Sequence, residues 1–457
     1  MMRRLLVTFG TFGLALTLVL LNGGVAPARP PLLPKAHTST ATASQLPGTS
    51  PLLPGESTFS SGAPVFDFGT NDTINFGTPN VDTLSSVQTD LKGGGLSLMR
   101  VWAYSSDSDA TIKQKVQAAT NAGMTCMFML GQTDNLTWLE HVVSMVGSTC
   151  HIFEFGNEPD NYNSPAGRKI TIYTSQWIAD IPKLRALDPV AVFGGPILMW
   201  SDSNDGSQST YPNDMAYFLA TTAAAGVRAN FIDYHDYPCT KSTSKAQCLS
   251  NTPGDFDWNW NEVINNEKTY YGKVIATGVS EYNFDPGTSN LYNWCNDGTF
   301  MTNWTVAAMD EIVKLGMSFA NQFDSLNWGG YGCYDMFSDA APYGPKPQFN
   351  AMVSEVKKYT SGLPATNVRY PSSGATVSGT TLADASASGA TSVEFALLGG
   401  TYGFSPHVVC TATLSVWGWA CAWGTTTVPN GTYALVSEAT NSAGSTFSSG
   451  VTITVKN

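Results

Sequence analysis

Two glutamates stand where this chain can do chemistry. Glu158 lies in Phe153-Glu154-Phe155-Gly156-Asn157-Glu158-Pro159-Asp160, where a buried apolar run breaks off into a polar elbow. Glu281 stands where a second run, Val274-Ile275-Ala276-Thr277-Gly278-Val279-Ser280-Glu281-Tyr282-Asn283, stops. Two carboxyl groups at the ends of separate strands suit double displacement at an anomeric carbon. One serves as acid/base, the other as nucleophile, and they stand about 5 Å apart. The neighbouring carboxylates lack that elbow context. Glu154 points to the same side as Glu158 but deeper, as a buried barrel residue or a support to the site. Asp160 follows Pro159 and is expected to line the cleft. Asp233 points inward and Asp236 outward on either side of His235.

The elements that must hold these residues alternate in type. Strands are expected over Pro64–Gly69, Leu96–Tyr104, Met124–Gly131, His151–Asn157, Ala191–Pro196, Phe231–Tyr237, Lys273–Glu281 and Gln322–Trp328. Helical stretches fall between them over Val81–Lys92, Ala110–Ala122, Ile170–Leu187, Tyr211–Ala225 and Phe300–Gly316, the last ending on a glycine. Strands alternating with helices imply parallel strands joined by right-handed crossovers. Eight such units predict an α/β fold, a (β/α)8 barrel, whose catalytic side chains come from the carboxyl ends of the strands. The doubly wound open sheet is the alternative, but no glycine-rich phosphate loop follows the first strand.

The Asn157-Glu158-Pro159 elbow, paired with Glu281 on a later strand, resembles the clan A glycoside hydrolases. In that clan the acid/base ends strand 4 and the nucleophile ends strand 7, which implies Glu158 as acid/base and Glu281 as nucleophile. The resemblance covers Pro64 to about Thr360. It implies that Arg100 and Tyr237 donate to Glu281, and that Asn157 binds the sugar 2-hydroxyl. It also places His235 in the network around Glu158 or the sugar. Trp328 then ends strand 8 as the apolar floor of the −1 subsite, and Trp102 stacks on a neighbouring sugar. The segment Gly344-Pro345-Lys346-Pro347-Gln348-Phe349-Asn350-Ala351-Met352 is similar to the family 39 stretch that leads into the last helix, while families 5, 30, 51 and 79 share the elbow. The implied activity is retaining hydrolysis of O-glycosidic bonds, needing no cofactor or metal. Burial and the charge of Glu281 are expected to raise the Glu158 pKa. A transglycosylase, or a non-catalytic carbohydrate-binding protein on the same barrel, are the alternatives.

The chain has 457 residues, more than one compact core accommodates. Residues 1–28 read as a secretory signal: Arg3-Arg4, an apolar run from Leu5 to Leu21, then Ala26-Pro27-Ala28 as a cleavage site. An uncleaved anchor is the alternative. Residues 29–62 read as a flexible Pro/Ser/Thr-rich linker, 63–361 as the catalytic barrel and 362–457 as a small β-sandwich. The formal charge is −12, and losing Arg3 and Arg4 with the leader makes it −14. Such a surface repels nucleic acid and anionic membranes. It suits a secreted protein whose partner is a neutral carbohydrate.

Eight cysteines pair by proximity as Cys126–Cys150, Cys239–Cys248, Cys295–Cys333 and Cys410–Cys421. In the C-terminal module strands are expected at Ser392–Leu398, Tyr433–Glu438 and Val451–Val455, with a hairpin loop at Asn441–Gly444. The Val428–Tyr433 turn and the closing strand look like bacterial immunoglobulin-like modules. Trp417, Trp419 and Trp423 alternate with Cys421 and share one strand face, either core or a sugar-binding platform.

Overall fold

The computed structural model of the chain describes residues 67–457, apart from 73–79, 132–133, 148, 162–168, 189–190, 240–242, 286–292, 327–333, 404 and 416–417. The expected leader and linker, Trp328, Cys333 and Trp417 lie outside the described residues.

Parallel strands close a barrel in chain order: β1 (Asp67–Asn71), β2 (Leu98–Trp102), β3 (Thr125–Leu130), β4 (Ile152–Phe155), β5 (Val192–Gly194), β6 (Phe231–Asp236), β7 (Ala276–Tyr282) and β8 (Phe319–Gln322). Closure comes from pairing of β1 with β8. Helices cover the outside: α1 (Ser85–Gly94), α2 (Asp109–Asn121), α3 (Leu136–Val146), α4 (Ile170–Leu187), α5 (Asp214–Ala224), α6 (Lys245–Tyr270), α7 (Gly298–Leu315) and α8 (Pro347–Thr360). Short polar side chains start many of them. Ser108, Asn135, Asn213 and Asp297 each accept a backbone N–H of the first turn, and Gly316 ends α7 in the left-handed region. The main core lies between this helical layer and the outward faces of the strands, with Phe128, Phe153, Trp177, Tyr234 and Trp304 at its centre.

The pleat stacks the barrel interior in layers. At the amino ends, Leu98, Met127, Val192, Phe231 and Phe319 form an apolar plug with Ile152 and Ala276 against it. Glycine makes room for it: a Cβ at Gly194 would collide with the Phe231 ring. Two residues further along their strands, Arg100, Glu154 and Asp233 occupy the middle layer, all fully buried.

The chain departs from its sequence pattern at three places. Strand β8 lies three residues earlier than expected at its start and ends at Gln322, so Trp328 does not end it. The sequence Phe-Ala-Asn-Gln is short and half polar: Asn321 turns into the barrel beside Met127, and Gln322, on the opposite face of the strand, is buried as well. Helices α3 and α6 were not foreseen. Pro253-Gly254 interrupts the apolar period of α6, although the capping box of Ser244 and Gln247 marks its start. Helix α4 spans the expected residues.

After the barrel comes a two-sheet β-sandwich built from β9 (Ala365–Tyr370), β10 (Ala375–Val377), β11 (Thr380–Ser388), β12 (Ser392–Leu398), β13 (His407–Thr411), β14 (Thr413–Ser415), β15 (Gly418–Gly424), β16 (Gly431–Asn441), β17 (Gly444–Phe447) and β18 (Val451–Val455). One sheet runs β10-β18-β16-β12-β13 with β17 against β16, and the other β14-β15-β11-β9. Strands β12 and β18 match expectation, and β16 turns into β17 at the foreseen loop. Trp423 is fully buried between the sheets, with Trp419 and Cys421 packed on the same core. That face is core, and the platform reading of it is corrected.

Three foreseen disulfides are present. Cys126–Cys150 joins the amino ends of β3 and β4 with Cα atoms 5.2 Å apart. Cys239–Cys248 ties the segment after β6 to α6, and Cys410–Cys421 links the two sheets of the sandwich. Cys295 is disulfide-bonded, but the Cys295–Cys333 pairing lies outside the described residues because Cys333 does. Among the described residues no helix is long and apolar enough to cross a membrane.

Candidate active site

Arg100, near the carboxyl end of β2, is the hub of the upper barrel. Its Nε donates to Glu154 Oε2 at 2.5 Å, Nη1 to Asn71 Oδ1 at 3.1 Å, and Nη2 to Asn157 Oδ1 at 2.8 Å. Nη1 also donates to Glu281 Oε1 in a short ion pair. Burial disfavours the Arg100 charge, but the facing Glu154 and Glu281 carboxylates more than offset it and raise its pKa.

Glu281 is aimed by a bulge in β7. Tyr234 pairs with Val279 and His235 with Glu281, leaving Ser280 as the extra residue. Both carboxylate oxygens are then engaged, Oε1 by Arg100 and Oε2 by the Tyr237 hydroxyl at 2.8 Å. Burial and the nearby carboxylates push the Tyr237 phenol well above its ordinary value, so it stays a donor.

Glu158 sits on the elbow after β4 at φ 46°, a conformation rare for a residue with a side chain. Its N–H donates to the carbonyl of Ile197, itself at φ 51°, at 2.9 Å. Such backbone is sustained only where the surroundings over-determine it, as they do at functional sites. Glu158 Oε1 meets His235 Nδ1 at 2.9 Å, and Oε2 accepts from Asn161 Nδ2 at 3.0 Å. His235 Nδ1 also lies 3.5 Å from Glu281 Oε2.

The expectation of a raised Glu158 pKa is overturned. Burial alone would raise it, but the hydrogen bond and charge of His235, the Asn161 amide and the Arg100 charge together lower it. Burial disfavours charge on His235, yet Glu281 and Glu158 outweigh that and raise its pKa. Both shifts run toward an imidazolium beside a carboxylate.

Donor atoms of Glu158, His235 and Glu281 lie within 4.8 Å of one another, a spacing that a metal ion could span. Arg100 already supplies a cation to Glu281, however, and His235 Nδ1 is already engaged by Glu158 Oε1 at 2.9 Å. The donor set therefore does not fit an ion in this state.

The structure brings Arg100, Trp102, Asn157, Glu158, His235, Tyr237 and Glu281 together at the carboxyl face. Trp102 lies under the Arg100 guanidinium, 5.4 Å from its ring centroid, and edge-on to Phe323. Asp236 faces outward as expected, accepting from Asn259 of α6. Asp160 does not line a cleft. It is buried, accepts the Met199 N–H and the Ser203 hydroxyl, and burial pushes it up to about 6.

Sequence reasoning missed Asn71, Asn161 and Phe323. Asn71 becomes visible if the alternation of the first strand is followed two residues past Gly69. Phe323 follows β8 directly and packs edge-on against Trp102.

No family model matches the sequence, and no curated protein matches it. Among solved structures, a monomeric β-xylosidase from Caulobacter crescentus CB15 superposes with a TM-score of 0.50 at 13% identity, covering 74% of this chain and 84% of that one. A family 51 α-L-arabinofuranosidase from Bifidobacterium longum gives a TM-score of 0.47 at 10% identity, covering 84% of each chain. An endo-β-1,4-mannanase from Thermotoga petrophila gives 0.42 at 12% identity, covering 86% of this chain and 98% of that one. At such identities what is shared is the fold. It is a (β/α)8 barrel.

Proposed function

We propose that the chain is a secreted retaining glycoside hydrolase acting on a neutral oligo- or polysaccharide, with residues 63–361 as its catalytic domain. The carrying observation is the glutamate pair, whose carboxylate oxygens approach within 4.8 Å at the carboxyl face of the barrel. Inverting enzymes separate their carboxyl groups by about 6.5–9.5 Å to admit a water, whereas retaining ones hold them about 5 Å apart.

Glu281, oriented by Arg100 and Tyr237, attacks the anomeric carbon as the glycosidic C–O bond breaks. The His235 imidazolium passes its proton to Glu158 along their 2.9 Å hydrogen bond, and Glu158 hands it on to the leaving oxygen, which leaves Glu158 as carboxylate and His235 neutral. In the second half-reaction water gives a proton to Glu158 and attacks the anomeric carbon, and Glu281 departs as carboxylate. Asn157, held by Arg100, is placed to meet the sugar 2-hydroxyl, and Trp102 and Phe323 form the apolar wall.

Export is supported by the leader pattern and the disulfides. The family 39 and immunoglobulin-like assignments rest on the Gly344–Met352 and Val428–Tyr433 motifs. Glu281→Ala tests the mechanism: turnover of aryl glycosides should vanish, and azide should restore it as a glycosyl azide of inverted configuration. Activity like that of the wild type in this variant rejects the nucleophile assignment.

A further inference from the structure

Beneath the glutamate pair, Asp233 of β6 and Glu154 of β4 are both 0% exposed inside the barrel. Neither Asp233 oxygen, nor Glu154 Oε1, makes a well-formed hydrogen bond, and the neighbours of Asp233 are the Glu154 carboxyl and the Ser280 hydroxyl. Asp233 and Glu154 face each other, and of the two, Arg100 bonds only Glu154, so two full negative charges are not compensated in this buried site. A single proton resolves this. Asp233 then donates to Glu154, which keeps its charge on Oε2 for Arg100 Nε, 2.5 Å away.

We propose that Asp233 and Glu154 share one proton and act as the positioning pair that sets Arg100 against Glu281, a role that rests on the glycosidase reading for its catalytic consequence. Arg100 spans two carboxylates, Glu154 below and Glu281 above. Its place between them depends on the lower partner carrying one negative charge. With none, Arg100 is drawn wholly onto the nucleophile. With two, the nucleophile faces an added like charge.

The groups around the pair favour the one-proton state. Burial and the Glu154 charge keep Asp233 protonated, against Arg100 of β2 and Ser280 of β7. Tyr173 of α4 also faces both carboxyls, and burial together with their charge keeps its phenol neutral. Glu281 completes the charges packed around Arg100.

Substitutions that move or remove the charge test the proposal. Asp233→Asn keeps a donor toward Glu154, so kcat should stay within a few-fold of wild type with an unchanged pH profile. In infrared difference spectra at pH 7, the same variant should lack one C=O absorption of a protonated carboxylic acid. Glu154→Gln shifts the charge to Asp233, and kcat should fall with KM little changed. The double variant removes the charge, and kcat should drop on the order of a hundredfold, the loss a misplaced catalytic group brings. That drop should exceed the product of the single effects. An Asp233→Asn protein that fails to fold, is as impaired as the double variant, or keeps the acid band overturns the proposal. If the double variant does not fold, the Asp233→Asn measurements decide. If the wild type hydrolyses no glycoside, the proposed function falls, while the infrared comparison still decides whether the proton is shared.

Discussion

The two ends of one barrel are built on opposite principles from the same strands. Along β6, Phe231 belongs to the apolar plug, Asp233 to the buried charge layer and His235 to the active face. Along β2 the same steps give Leu98, Arg100 and Trp102. At the amino end, burial of apolar surface and the Cys126–Cys150 bond hold the strands together. At the carboxyl end, buried charges face one another and Glu158 and Ile197 hold left-handed backbone. A pleat of period two lets stabilising and reactive residues occupy one strand without mixing.

The comparison breaks most severely at Arg100. Arg100→Ala leaves Glu154 and Glu281 as uncompensated buried charges, so the protein should lose about 3–5 kcal/mol in denaturant unfolding as well as its turnover. Retention of either would show that the carboxyl end does not depend on this cation.

Phe231→Ala attacks the other end. Removing a ring from the plug should cost about 3–5 kcal/mol of stability while the pH profile of kcat/KM keeps its shape. A changed profile would mean that the two ends are not separable. Loss of the Cys126–Cys150 bond should be milder, about 3 kcal/mol on the chain-entropy estimate. Its loop spans 24 residues and lies away from the glutamates. Thermal melts of a Cys126→Ala/Cys150→Ala protein, beside its pH–rate curve, check both halves of that statement.

The smallest effect sharpens the carboxyl end. Because the Glu158 pKa is lowered, its contribution to stability is present above its ordinary value of 4.5 and fades as pH falls through the lowered value. Because the His235 pKa is raised, its contribution is present below 6.5 and fades as pH rises through the raised value. The melting-temperature gap between wild type and His235→Asn should therefore be widest between pH 4.5 and 6.5 and close on both sides. A gap independent of pH would remove the ion pair from the account.

Legibility in the sequence followed the same division. The alternation of strand and helix, and the elbow at Glu158, are local signals that announce the barrel and both glutamates. Strand β8 was displaced because Asn321 and Gln322 look like loop residues, although the barrel buries both of them. His235 was expected near Glu158, but the direction of the Glu158 shift was misjudged because the closeness of that contact and the added Asn161 and Arg100 contributions are set by packing. Burial and charge at Glu158 were anticipated, but their balance depends on contacts that no local pattern encodes. Asp233 was read as pointing inward, yet nothing local says that it meets Glu154.

The Glu158 elbow is latched to the segment between β5 and α5 at several points. The Glu158 N–H reaches the Ile197 carbonyl, and Asp160 holds both the Met199 N–H and the Ser203 hydroxyl. The His235 N–H grips the carbonyl of Leu198 from the other side. Barrel enzymes ordinarily diversify by exchanging loops over an unchanged floor. Here one loop also holds the Glu158 elbow, so under the proposed function grafting a foreign segment over 197–203 should depress turnover of every substrate alike, whereas a pure specificity loop would trade one substrate for another. Under the proposed function, directed evolution of this chain toward new sugars has fewer free loops than its architecture advertises.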